Sequence, residues 1–160
     1  MADEFKLLAH LPFADPETEA VERIAAHLGL PVSRGPEGAP EVNTETFLIY
    51  GFVPDEVDRN VVADRFGEDV NLTLVFTDPA VGEGLTPSPI AEQMTRSALL
   101  LAAVEGARGV MVTDYTADAI ILRFAGGEVT LNQDWPGWAA PEVLAAVPEP
   151  RRLESLQGRN

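Results

Sequence analysis

Cysteine is absent from this chain, which removes disulfide frameworks, thiolate nucleophiles and Cys-ligated zinc together and suits a reducing compartment. Histidine is nearly absent: His10 and His27 are the only two, and no HExxH or His-rich tract gives a metal its ligand spacing. Basic residues are scarce, 11 Lys plus Arg against 26 Asp plus Glu. The resulting net charge of −15 repels the phosphates that a nucleic-acid binder holds with a basic footprint. No apolar run approaches the roughly 18 residues of a membrane span, and the opening MADEFK lacks the basic and apolar regions of a secretory signal. The expectation is a cytoplasmic chain with no membrane or nucleic-acid partner, no metal and no cofactor.

What the chain does have is length and acid. At 160 residues it fits one domain, which buries roughly two-thirds of the surface its unfolded form exposes. Residues 1–83 hold 17 acids and 5 bases, whereas residues 84–160 hold 9 acids and 6 bases. An excess of 12 negative charges therefore sits in the first half and of 3 in the second. Such a field keeps a small protein soluble, and it also speeds encounter with a basic protein.

Periodicity and punctuation divide the chain. EFKLLAHLPF reads as a strand ending before Asp15-Pro16, a helix start in which Asp15 caps free N–H groups and Pro16 loses nothing by lacking one. The stripe Val21, Ile24, Ala25 and Leu28, with Gly29 and Pro31 beyond it, predicts a helix over 16–28. PVSRGPEGAPEVN, residues 31–43, reads as a surface loop. TFLIYGFV reads as a strand in which Gly51 marks a bulge or a close backbone approach. DEVDRNVVADRFG predicts a helix over 56–66 with Val57 and Val61 a turn apart. VNLTLVF alternates, Leu72, Leu74 and Phe76 on one face and Asn71, Thr73 and Val75 on the other, as in a strand buried on one side.

Ser88-Pro89 starts the most apolar helix, with Ile90, Met94, Ala98, Leu101 and Ala102 on its core face. Leu99, Leu100, Ala103 and Val104 extend its apolar surface, so its second half is either encircled or carries an exposed patch. GVMVTDY, DAIILRF and EVTLNQDW follow as an antiparallel meander, joined at Thr116-Ala117 and at Gly126-Gly127. An aromatic turn, a short helix in PEVLAAV and a polar tail that frays unless it docks complete the chain. The fold class predicted is α+β: one domain over 1–147 and a C-terminal tail over 148–160. Its sheet is expected to be mostly antiparallel, five- or six-stranded, with helices mainly on one face.

Catalytic chemistry finds no motif. Ser33, Ser88, Ser97 and Ser155 lie outside any GxSxG turn. The pairs Glu68-Asp69, Asp55-Glu56 and Asp114 with Asp118 fit solvated caps and turns better than an acid and base in a cleft. DRFGED lacks the alternating oxygens of a calcium loop, and Gly82 and Gly84 lack the GK[ST] of a phosphate loop. Trp135 and Trp138 either cover the open end of the core or anchor a partner, Trp138 being the more exposed of the two on this reading, with Asp134 beside them as a charge partner.

An opening strand into a helix ending AAHLGL, then VVADRFG running into NLTLVFTD, then a long helix, then GVMVTDYTADAIILRFAGGEVTLNQ, together resemble the bacterial swarming-inhibition (Sit) toxin immunity proteins. The likeness spans roughly residues 3 to 135. It implies a non-enzymatic protein that binds and neutralises a cognate toxin, and it supplies no catalytic residues; the acidic charge of the chain suits a basic toxin. Asp55, Glu56, Asp58, Glu68, Asp69, Asp134 and Trp138 are the candidate partner-binding residues. The rival expectations are a small-molecule site or enzyme pocket between the central helix and the sheet, and an acidic regulatory subunit; the oligomeric state stays open. With no metal in the expectation, a chelator should leave the melting temperature unchanged, and a fall of many degrees would show a structural metal.

Overall fold

The computed structural model describes residues 3–35, 37–44, 48–66, 69–78, 91–113, 119–147, 149 and 151–156. Nine strands form one sheet. They are β1 (Asp3–His10), β2 (Ser33–Arg34), β3 (Pro40–Asn43), β4 (Leu48–Phe52), β5 (Leu72–Asp78), β6 (Arg108–Thr113), β7 (Ala119–Ala125), β8 (Glu128–Asn132) and β9 (Arg151–Glu154). Their spatial order is β2-β3-β4-β5-β1-β6-β7-β8-β9, and every pair is antiparallel except β8 with β9. The helices are α1 (Pro16–Leu28), α2 (Glu56–Phe66), α3 (Ala91–Ala102) and α4 (Pro141–Ala145), with a 3₁₀ turn over Pro136–Ala139. The class is α+β as expected, with a larger sheet than the five or six strands predicted.

Alternation sorts the side chains of β1. Phe5, Leu7 and Ala9 join Leu72, Leu74, Phe76, Met111 and Leu122 in the main core, under α1, α3 and α4. Leu8 points the other way, into a second cluster with Val62, Val70, Val110, Val112 and Ile120. Val62 is the contribution of α2, so three helices cover one face and α2 covers the other. The strand expected to be buried on one side is consequently buried on both: Thr73 and Val75 are as enclosed as Leu72 and Leu74.

Helices 16–28 and 56–66 lie where the sequence predicts them. Asp15 Oδ1 accepts from Thr18 N–H at 3.4 Å, and Asp55 Oδ1 accepts from Asp58 N–H at 2.8 Å. Gly51 marks a close approach: a Cβ there would lie 3.1 Å from Leu74 Cδ2, 3.2 Å from Val21 Cγ2 and 3.3 Å from Glu17 O. The register of β4 with β5 runs through it without a bulge, so the missing side chain is what lets α1 cross β4. Gly126 and Gly127, at φ 59° and 80°, make the tight β7–β8 hairpin.

Two stretches read as irregular are ordered strands. Within residues 31–43, Gly35 N–H bonds Ala39 O and Gly38 N–H bonds Gly35 O, which closes a hairpin between β2 and β3. Gly35 and Gly38 belong to the turn, and Pro40 opens a strand, a position where its missing N–H is tolerated. The polar tail docks: Arg151–Glu154 pairs parallel to β8, and Gln133 N–H donates to Glu154 O at 2.8 Å. Parallel neighbours need a long crossover, and the stretch from 133 to 150, containing the 3₁₀ turn and α4, supplies it. Ser88, Pro89, Ile90, Thr116 and Ala117 lie outside the described residues.

In α3, Met94, Ala98, Leu101 and Ala102 are buried as predicted, Leu99 is buried with them, Leu100 and Val104 are half-buried, and Ala103 is exposed. Val57 departs from its predicted place, being 67% exposed, while Val62 is fully enclosed. Five residues turn an α-helix by about 140° beyond a full revolution, so Val62 facing the sheet carries Val57 away from it. Leu101→Asp, which buries an unpaired carboxylate, should therefore cost about 3 kcal/mol or more, and Val57→Asp less than about 0.5. Urea midpoints check this, and equal midpoints would displace α3 from the core.

Candidate protein-binding surface

The residues from Tyr50 to Val57 run off the end of β4 into the head of α2. Ile49 and Gly51 face the main core through their partners Phe76 and Leu74, so Tyr50 and Phe52 face the side that α2 covers. Their rings stack at 6.0 Å and both are half-buried. Val53 follows at 54% exposure, Pro54 is buried, and Asp55 and Glu56 are exposed beside Val57. Two stacked aromatics, two bare valines and two unscreened carboxylates thus share one short stretch.

The predicted partner-binding residues fall into separate places. Asp55 and Glu56 stand at the head of α2, and Asp69 is exposed beyond its far end. The 11-residue helix between them is about 16 Å long. Glu68 lies outside the described residues, as do Asp114, Asp118, Gly82 and Gly84. Asp58 shares the inward stripe with Val62 and meets Lys6 Nζ at 3.8 Å, each side chain only 14% exposed. That corrects its expected place on the partner-binding surface: Asp58 is held beneath α2 by a cation projecting from β1.

Asp134 is remote from these groups, in the turn after β8, with β6 and β7 lying between β1 and that strand. Its carboxylate accepts from the Ser155 hydroxyl, and its backbone N–H donates to Asn132 Oδ1 at 3.1 Å. Trp138 is a second correction. It is 7% exposed, packs in the main core, donates from Nε1 to Ile121 O at 3.3 Å, and meets Trp135 edge-on at 4.8 Å. Trp135 is the half-buried member, so the pair closes the core, and Trp138 cannot reach a partner without unfolding it.

Val53, Val57, Tyr50 and Phe52 were not among the predicted site residues. The available signal was the weak apolar stripe of α2: with Val57, Val61 and Val62 as its valines, the helix cannot turn all of them inward.

An open groove of about 410 Å³ lies between the end of α3 and the β7–β8 hairpin, lined by Leu99, Ala102, Val104, Gly126 and Val129; between α3 and the sheet, where a small-molecule pocket was the rival expectation, Phe5, Met94, Thr95, Met111, Ile121 and Trp135 line a cavity of about 10 Å³. That is room for at most a single water. Among the described residues no group of three or more His, Cys, Asp or Glu side chains could hold a metal ion. No described helix is long and apolar enough to cross a membrane. His27 is exposed in the last turn of α1, where its charge would suit the helix terminus. His10 Nδ1, Thr73 Oγ1 and Ser97 Oγ are buried without hydrogen-bond partners.

Glu17, in the first turn of α1, carries the clearest electrostatic strain. Burial raises its pKa and the neighbouring Asp15 adds to the rise, while Glu17 Oε2 is buried without a partner. Asp15 shifts the other way, lowered first by its hydrogen bond with Thr18 and then by that with Glu17. A raised folded-state pKa means that the folded form binds the proton more tightly, so stability falls as pH climbs from the unfolded value through the folded one. Glu17→Gln should raise the melting temperature at neutral pH, and the gain should vanish below the usual carboxylate range, where both chains are neutral there. Thermal scans across pH check this; a gain that persists in acid would place the effect in packing.

Comparisons with protein-family models, with curated proteins and with solved structures returned no match to this chain.

Proposed function

We propose that this chain is a non-enzymatic, cytoplasmic immunity protein that binds a cognate bacterial toxin and neutralises it. The observation that carries the reading is the stretch from Tyr50 to Val57, where exposed Val53 and Val57 flank the exposed acids Asp55 and Glu56 beside the Tyr50–Phe52 stack. Apolar and aromatic groups supply contact area and affinity, and the acids supply selectivity for a basic partner. The half of the chain that holds this stretch also holds most of the excess negative charge, which extends attraction beyond direct contact. The immunity assignment comes from the likeness of segment order to the Sit immunity proteins; the surface adds where such a protein would bind.

Co-expression with the product of a neighbouring reading frame, read as rescue from toxicity and as co-purification, tests the function. Against that toxin, Glu56→Lys, which leaves the Asp55 cap of α2 in place, should slow association and weaken its salt dependence, because steering is screened over roughly 8 to 10 Å. Val53→Ala with Val57→Ala should chiefly speed dissociation. Unchanged rates in both variants would remove this surface from the interface, and failed rescue with no complex would remove the function.

A further inference from the structure

The sheet ends at β9, whose outer edge pairs with no other described strand. Glu154 C=O is turned toward β8, where it accepts from Gln133 N–H. Successive peptide groups alternate in direction, so the N–H and C=O of Leu153 and Arg151 point out of the sheet, free to pair. Leu153 is also 58% exposed. With Leu131, Leu144, Glu149 and Arg151 it lines an open groove of about 690 Å³ between β9 and α4. Arg152 and Glu154 stand on the opposite face, exposed, 3.1 Å apart.

This strand reads Arg-Arg-Leu-Glu, which is self-complementary about Leu153. A second β9 laid antiparallel against it, related by a two-fold axis through Leu153, sets Leu153 against Leu153. The same register sets Arg152 against Glu154 of the other copy, and Glu154 against Arg152. Residues directly opposite in an antiparallel pair share a face, so both ion pairs form on one side and the leucines meet on the groove side. The outward peptide groups of the two Leu153 residues then exchange both hydrogen bonds.

We propose that β9 is the interface of a symmetric homodimer in which the sheets of two copies join edge to edge. Charged residues protect an edge strand when they meet like charges; here the approach of a second copy brings opposite charges together. The half of the chain that carries β9 is also the less acidic one, with an excess of only 3 negative charges. The other edge, β2, has two residues and offers no comparable register. A four-residue strand buries less than a standard interface, so the dimer is weak and concentration-dependent.

Sedimentation velocity of the full chain, from low to high micromolar concentration, should show a shift from monomer to dimer. Arg152→Glu alone and Glu154→Arg alone each put like charges opposite one another twice, and each should weaken dimerisation about tenfold. The double variant, Arg152→Glu with Glu154→Arg, restores opposite charges and should restore the dimer. Both side chains are exposed, so unchanged melting temperatures separate this effect from unfolding. A monomer at every concentration overturns the proposal and leaves the edge to a strand from another protein. A dimer indifferent to the single reversals overturns it too, as does a double variant that stays monomeric.

Discussion

A strand at the centre of a sheet must bury side chains on two faces, and β1 is that strand. It lies between β5 and β6 and is paired along both edges. Phe5, Leu7 and Ala9 go to one side and Leu8 to the other, so neither face can be left to water. Three helices satisfy the first face with a deep core. The second depends on α2, which brings Val62 to the cluster around Leu8, and on the Lys6–Asp58 pair, which ties α2 to β1 without adding apolar area. At such low exposure the pair matters more for orienting the helix than for net stability, since desolvation offsets much of its attraction.

That thin cover explains why the candidate surface lies where it does. With Asp58 and Val62 turned toward the sheet, α2 turns Glu56 and Val57 outward, and Asp55 stands exposed at its cap. The neighbouring β4 lies toward one edge of the sheet, so its Tyr50 and Phe52 remain half-buried instead of being sealed beneath α2. The opposite end of the sheet is closed differently. Trp138 and Trp135 plug the main core where β8 ends, and the crossover that carries them returns the chain to lay β9 beside β8.

Features governed by neighbours in sequence were legible, and features governed by distant partners were not. Asp15-Pro16 and Asp55 cap helices through groups two or three residues away, so both starts could be read directly. Gly51 announced either a bulge or a close approach, and its neighbours Leu74 and Val21, far off in the chain, decide for the second. The residues of β9 gave no such signal: Arg151 to Glu154 are polar, and they become a strand only because an 18-residue crossover delivers them to β8. The β2–β3 hairpin was hidden because prolines and glycines dominate the sequence of so short a stretch. Among the predicted partner-binding residues, Asp55, Glu56 and Asp69 were legible as exposed acids. Asp58 and Trp138 were not legible as enclosed groups, because Lys6 and Ile121, the partners that hold them, lie far off in the chain.

The two surfaces proposed for this molecule differ in charge as well as position. The stretch from Tyr50 to Val57 belongs to the acidic half of the chain and to β4, while β9 belongs to the nearly balanced half and closes the other end of the sheet. Between β4 and β9 lie five strands, and at about 4.8 Å per strand step the two regions stand roughly 29 Å apart. That separation exceeds the screening length severalfold, so the field that would draw in a basic partner at one end contributes little repulsion at the other. Edge-to-edge pairing through β9 would place the two acidic surfaces at the outer ends of the joined sheet. Each copy could then engage its own partner without competing with the other.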